Sequence, residues 1–443
     1  MGLLLLAVGF GQSWSLCLLI INMCLISSIM TLGINIQWGY GGIFNVGIMG
    51  FTALGGLTAV LISHYSVPEA VAAGGKNMIM SFLVLISVII LIYFVNNNLQ
   101  KKILKYVTIT AILIIGFYVI NLFYRPAVLA IEKIDTAHTG FLGGLGLPIT
   151  FSWIVGGFVA AGVAFIIGKI TLGLRADYLA IATLGISEII IVMLKQEDWL
   201  SRGVRNVTGL DRPVPYEIDL QESEWFVSLI EKINFFKLSN IIDKIEYQKQ
   251  LSELVIKGSS IYVKLCYTGL FVMVLLIIFF LCERALNSPW GRMMRAIRDN
   301  EVSANAMGKN VIKRHLQVFV LGSAVVGIAG AMLTTLNGQF TPGSYVPLRY
   351  TFLIWVMVII GGSGNNLGSV LGGFIVWFIW IESGPVAKYI IEFATFGIGE
   401  TSSIKIHLLN SIPYFRYFVM GLLMLLILRY MPKGILPEKK INN

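Results

Sequence analysis

Apolar residues run along this chain in long blocks, at 3–36, 48–63, 79–95, 103–123, 148–168, 174–194, 262–282, 317–336, 350–381 and 413–430. About twenty apolar residues in a helix cross the hydrocarbon core of a bilayer, where each backbone amide must be paired inside its own segment. The pattern predicts an all-α, polytopic transmembrane helical bundle with about nine to eleven membrane-crossing segments, in a single domain over 1–443. The first block fits one long helix, or a short one followed by a full span. Glycine breaks two of the blocks, at 33–56 and 359–373, and short helices are expected either side of the second break. Polarity concentrates in an extended stretch at 196–260 and a compact island at 288–308.

The island has its own period. Ser288 and Pro289 form a helix-start signal, since the Ser oxygen caps free amides and proline suits the first helical position. Met293, Met294, Ile297, Ala304 and Met307 recur at helical spacing, and Gly308 supplies a left-handed stop. One short amphipathic helix with arginines on its wet side is expected. Between 283 and 316, seven basic residues (Arg284, Arg292, Arg295, Arg298, Lys309, Lys313, Arg314) face three acidic ones (Glu283, Asp299, Glu301). That excess puts the island on the cytoplasmic side.

Lys101, Lys102 and Lys105, and then Arg429, Lys433, Lys439 and Lys440, mark the same side. The stretch 196–260 carries eleven acidic and eight basic residues, a net of −3, and is expected outside as a periplasmic insertion. Within it, 224–257 reads as short helices lying along the membrane face, and 384–412 is expected to hug the outer face. The outer loop with Arg125, Glu132, Lys133 and Asp135 holds His138, which reads as solvated.

Composition agrees with this picture. The chain is 56% hydrophobic and 13% charged, about half the charge of a soluble domain. Its net charge of +10 is what basic cytoplasmic loops produce, so nucleic acid is not an expected partner. Cys17, Cys24, Cys266 and Cys282 sit in or beside apolar runs and read as buried hydrophobes. The N-terminal block lacks a basic leader and a small-residue cleavage site, and is expected to be retained. No G-x-x-x-x-G-K-[ST], HExxH, Cys/His cluster or G-x-S-x-G is present, so no metal, cofactor or catalytic residue is expected.

The polar residues within the blocks carry the candidate chemistry. Asn35, Gln37 and Asn45 lie at membrane depth among eight glycines at 33–56. Such a stretch either lines a pathway or packs helices closely through small residues. Gly41, Asn45 and Gly47 are the pathway candidates there, joined by Thr183, Glu188 and Gly362. An intramembrane carboxylate such as Glu188 is expected to face the bundle interior or water, in a pathway or as a packing group. Gly368 and Gly372 form a GxxxG packing face. For the island itself, two roles stand open: a mechanical handle for an ATPase, or a basic helix held by anionic headgroups.

Several blocks together carry a family resemblance. NSPWGRMMRAIRDNEVSANAMGKNV, GSAVVGIAGAM and VIIGGSGNNLGSVLGG resemble the M-type membrane permeases of branched-chain amino-acid ABC importers. LGINIQWGYGGIFNVGIMGFTALGG is similar to that family's early glycine-rich block, with Ile43, Phe44 and Asn45 as departures. LRADYLAIATLGISEII, VTGL at 207–210 and RYMPKGILP follow in the family's order, and the regions 79–147 and 211–260 are longer than usual. The resemblance implies the all-α permease type of vitamin B12 and simple-sugar importers, in the inner (plasma) membrane. It implies a homologous second permease, two cytoplasmic ATPase subunits and a periplasmic binding protein delivering a small amino acid. It makes 288–308 the coupling helix, with Gly291, Arg295, Ile297, Asp299, Ala304 and Gly308 supporting contact with the ATPase. A urea or short-amide permease and an ion-coupled secondary transporter, with Glu188 as its proton-linked group, are the alternatives.

Overall fold

A computed structural model describes residues 1–99, 101–134, 140–239, 243–397, 399 and 402–438; the expectations for Asp135, His138, Lys439 and Lys440 lie outside them. The first apolar block takes the two-helix option, α1 (Gly2–Gly11) and α2 (Trp14–Ile34). Ser13 Oγ accepts from the Ser15 amide at 3.2 Å and caps α2. Cys17 and Cys24 are buried where α1, α2 and Phe378 meet, in keeping with their reading as hydrophobes. A π-helical turn, Asn35–Tyr40, extends α2, and α3 (Ile48–Ser63) follows after an irregular link.

Next come α4 (Lys76–Asn98) and α5 (Lys102–Glu132), a hairpin of two apolar helices. It joins the bundle chiefly at one end, through a small core of Ala70, Met78, Ala127, Ile131 and Trp199. The bundle continues with α6 (Thr150–Thr171) and α7 (Ala176–Gln196), then a short amphipathic helix, α8 (Glu224–Ile233), that turns Phe226 and Ile230 inward. After α9 (Lys244–Asn287) the island forms α10 (Pro289–Asp299) and α11 (Glu301–Ala306). The rest is α12 (Val311–Asn337), α13 (Pro347–Gly361), α14 (Asn366–Ala394), α15 (Ser403–Asn410) and α16 (Ile412–Tyr430).

Among the described residues nine helices are long and apolar enough to cross a membrane, while α3 and α13 are apolar but shorter. The chain is a multi-pass membrane protein with an all-α bundle.

Small residues set the packing, because lipid tails give helices no hydrophobic reason to associate. The hub is α12, which packs on α2, α3 and α6. A Cβ added at Gly55 of α3 would stand 1.9 Å from the Gly327 carbonyl oxygen of α12, so these helices meet backbone to backbone. The GxxxG face works in the same way: a Cβ at Gly372 would lie 2.0 Å from the Met357 carbonyl of α13. A two-residue ribbon pairs β1 (Val207–Thr208) antiparallel with β2 (Gln339–Phe340). It pins the VTGL segment to the end of α12.

Three local expectations change. Residues 244–257 are not a surface helix but the first turns of α9, whose 44 residues reach ~66 Å. Asp243 starts this helix by accepting from the Ile245 amide at 3.1 Å, and no proline follows to stop it before the hydrocarbon. Residues 384–394 continue α14 through Pro385 and do not form a separate surface piece. The island is two helices, because Asn300 turns extended and caps the second, its Oδ1 accepting from the Ser303 amide at 2.9 Å.

Candidate functional site

The π turn and the link to α3 lie inside the bundle, so their polar groups must find partners there. The Gln37 amide donates to the Phe319 carbonyl at 2.9 Å and to Ser323 Oγ at 3.1 Å. Asn45 Nδ2 donates to Gln37 Oε1 at 2.9 Å, and Asn45 Oδ1 accepts from the Gly47 amide at 2.8 Å. Trp355 Nε1, on α13, donates to the Asn45 carbonyl at 3.1 Å. From α7, Thr183 Oγ1 accepts from the Val46 amide at 3.1 Å, and Ser187 Oγ accepts from the Gly50 amide at 2.8 Å. Gly47 is required by this approach, since a Cβ there would stand 2.5 Å from the Thr183 carbonyl.

The structure thus brings Asn45, Gly47 and Thr183 together, with Gly41 closing the π turn against Gln37 and Val318. Over this network sits a ring cluster: Phe44 lies 4.6 Å and Trp38 5.3 Å from Trp355, both edge-on. Short helices α3 and α13 meet here beside an irregular link, the arrangement by which membrane transporters place a polar site at depth. The groups are amides and hydroxyls, suited to binding and not to bond chemistry. Trp355 and the Gln37–Ser323 bond escape sequence reading, because both pairings cross distant helices.

Glu188 and Gly362 lie apart from this cluster. Thr183 and Ser187, one turn apart, form the face of α7 that packs on α3, whereas Glu188 is exposed on the outward face. Gly362, at φ 114°, belongs to the turn between α13 and α14, where a Cβ would stand 2.1 Å from the Leu436 carbonyl.

The island presents the second part of the site. Gly291 (against the Leu286 backbone), Met294 and Ile297 are buried and seat α10 on the bundle, and Arg295 donates to the Leu286 carbonyl at 3.3 Å. Gly291 and Ile297 therefore face this chain's own core. Asp299 and Gly308 are exposed and Ala304 is half-buried. Val302 and Met307, both 80% exposed, are apolar side chains at the tip. Met307 leaves the dry stripe expected for it because the helix breaks at Asn300.

Arg298 connects the two parts. Its guanidinium donates to the Gly39 carbonyl, at the end of the π turn, and pairs with Asp299 and Glu438, each at 3.0 Å. Burial works against this charge, and the two carboxylates more than offset it, so its pKa lies above the ordinary arginine value. Glu438 is held there by a folded-back tail. The Ile435 and Leu436 amides donate to the Ile360 and Gly361 carbonyls at 2.9 and 3.0 Å, and Asn365 Nδ2 donates to the Pro437 carbonyl at 3.2 Å. Asn35 and Asn366 bond each other at 3.0 Å, and Asn366 donates to Glu283 at 2.8 Å, tying the same turn to α2 and α9.

A family model described as branched-chain amino acid transport system / permease component matches residues 127–428. The chain is 34% identical over 176 residues to a probable branched-chain amino acid transport permease protein LivM of Methanocaldococcus jannaschii, covering 39% of this chain and 46% of that protein. It is 26% identical over 222 residues to the high-affinity branched-chain amino acid transport system permease protein LivM of Escherichia coli, covering 50% and 48%. A shorter match, 28% identical over 89 residues, covers 20% of this chain and 28% of the Escherichia coli permease protein LivH. The chain spans about half the length of the LivM relatives it matches. No solved structure matches it.

Proposed function

Because the chain belongs to the branched-chain amino acid transport permease family, we propose that it is the membrane subunit of an ATP-driven importer in the inner membrane. With a homologous second permease it forms the path for branched-chain or related small amino acids. A periplasmic binding protein delivers the substrate, and two cytoplasmic ATPase subunits supply the energy. The sequence carries no P-loop, so hydrolysis belongs to those partners.

The observation that carries this reading is the Arg298 connection. A transporter driven from outside needs a rigid handle joined to its interior. α10 and α11 form that handle, with Val302 and Met307 on the side open to a partner. Movement of α10 pulls on the Gly39 carbonyl through one guanidinium and on the 361–366 turn through Glu438 and the tail. Both ends of that pull act on the π turn and α13, which hold Trp38 and Trp355. Displacing them opens the amides of Gln37 and Asn45 to a zwitterionic solute. On this reading Glu188 lies on a face open to lipid or the second permease, and carries no coupling ion.

Uptake of radiolabelled leucine into liposomes holding this chain, its partner permease and the ATPases tests the proposal. Accumulation should require ATP on the side of α10 and the binding protein on the other. Uptake driven by a pH gradient alone, in liposomes without ATPase subunits, would establish an ion-coupled carrier instead.

A further inference from the structure

We infer that a groove between α6, α10 and α12 is a binding site for one anionic phospholipid. The groove, of about 540 Å³, has two unlike ends. Phe165, Leu316 and Val320 make an apolar wall, and Lys313, Arg314 and Trp290 form its rim. Lys169 adds a third cation, its Nζ 4.4 Å from the centre of the Phe165 ring.

Charge and shape together choose the occupant. Among the described residues Lys169, Lys313 and Arg314 make no ion pair, whereas Arg298 on the same island has two carboxylates. Lys313 and Arg314 sit in the first turn of α12, at the charged end of a helix long and apolar enough to cross a membrane. From Arg314 the wall descends to Val320, ~9 Å along the helix axis. A free phosphate would satisfy the rim and leave the wall empty, and a neutral lipid would fill the wall and leave the rim unmatched. A phosphodiester headgroup with its acyl chain satisfies both, as basic pockets between membrane helices do.

The site also touches the handle. Trp290 Nε1 and the Arg314 guanidinium donate to the same acceptor, Gln317 Oε1, at 3.2 and 3.0 Å. A phosphate held by Lys313 and Arg314 fixes this corner and with it the seat of α10 on α12. Lipid binding stands independently of transport, and only this consequence rests on the coupling role.

The test is native mass spectrometry of the full-length chain in mild detergent, with phosphatidylglycerol and phosphatidylcholine supplied in equal amounts. The wild type should retain phosphatidylglycerol at least tenfold over phosphatidylcholine. The triple change Lys169→Gln, Lys313→Gln and Arg314→Gln should remove that preference. Lys101→Gln with Lys102→Gln and Lys105→Gln, at the start of α5 and outside the groove lining, should leave it intact. Val320→Trp keeps the rim, fills the wall and should also expel the lipid; it decides the matter if the triple variant aggregates. An unchanged preference in both groove variants overturns the proposal, as does equal loss in the α4–α5 control. Displacement by millimolar inorganic phosphate would make this a simple anion site. A photo-crosslinker at position 320 should capture an acyl chain; capture of a second protein chain instead would make the groove an interface.

Discussion

Arg298, in the last turn of α10, and Glu438, in the C-terminal tail, form an ion pair at 3.0 Å while the same guanidinium holds the Gly39 carbonyl. Three segments far apart in sequence therefore meet on one side chain. The pair is partly exposed, with 23% and 29% of the two side chains accessible, so the bond itself stabilises by ~1 kcal/mol at most. On the proposed reading its value is mechanical. Arg298→Ala should cut ATP-driven uptake by roughly tenfold or more, with the protein still inserted. Glu438→Gln should cut it by about fivefold, matching ~1 kcal/mol. Uptake and ATP hydrolysis measured together check this, since an uncoupled complex keeps hydrolysing.

The buried and exposed sides of the island should separate in their effects. Ile297, 1% exposed, seats α10. Ile297→Asp buries an unpaired charge and should cost several kcal/mol, lowering thermal stability and membrane yield. Met307→Asp lies in open space and should leave stability within ~0.5 kcal/mol while abolishing uptake. Melting curves in detergent beside transport assays distinguish the two. Equal loss of stability in both would show that the tip folds against this chain.

The interior network should behave as structure that also gates. Asn45→Ala removes the donor to Gln37 and the acceptor for the Gly47 amide. At ~0.6–1.7 kcal/mol for an interhelical hydrogen bond in a membrane, the melting temperature should drop by a few degrees. Leucine uptake should fall more steeply than stability if, as proposed, the amide borders the path. Thr183→Val, which loses the bond to the Val46 amide, should show the same pattern more weakly.

What was legible in the sequence follows from local periodicity. The spans, the 48–63 helix, the start of the island at Ser288 and the close approach at Gly372 each depend on residues within a few turns. The break at Asn300 lies outside that pattern: Asn is a favoured N-cap residue, but the apolar stripe continues across it and reads as one helix. The outward turn of Glu188 could have been read from Thr183 and Ser187, which at i and i+4 define the packed face and leave Glu188 off it. The Arg298–Glu438 pair, the Trp355 bond and the tail on Gly361 were not legible. Each joins segments hundreds of residues apart or lies in a tail whose local pattern is silent about its partner.

Glu188→Gln should leave substantial, vanadate-sensitive uptake. The residue is exposed on α7, away from the Asn45 network, so deleting its charge breaks none of that network's hydrogen bonds. Loss of all uphill transport in this variant, with the protein properly inserted, would give that carboxylate a driving role.

The central claim is that the island delivers the work of an ATPase to this bundle, and site-directed crosslinking in native membranes tests it most directly. Single cysteines at 302 and 307, in a chain cleared of Cys17, Cys24, Cys266 and Cys282, are treated with a short bifunctional thiol reagent. The account predicts a crosslinked partner that binds a photoreactive ATP analogue, with ATP shifting the yield, and no labelling of either cysteine by an impermeant thiol reagent added from outside. Labelling from outside, or crosslinks reaching only lipid or an outer binding protein, would contradict it.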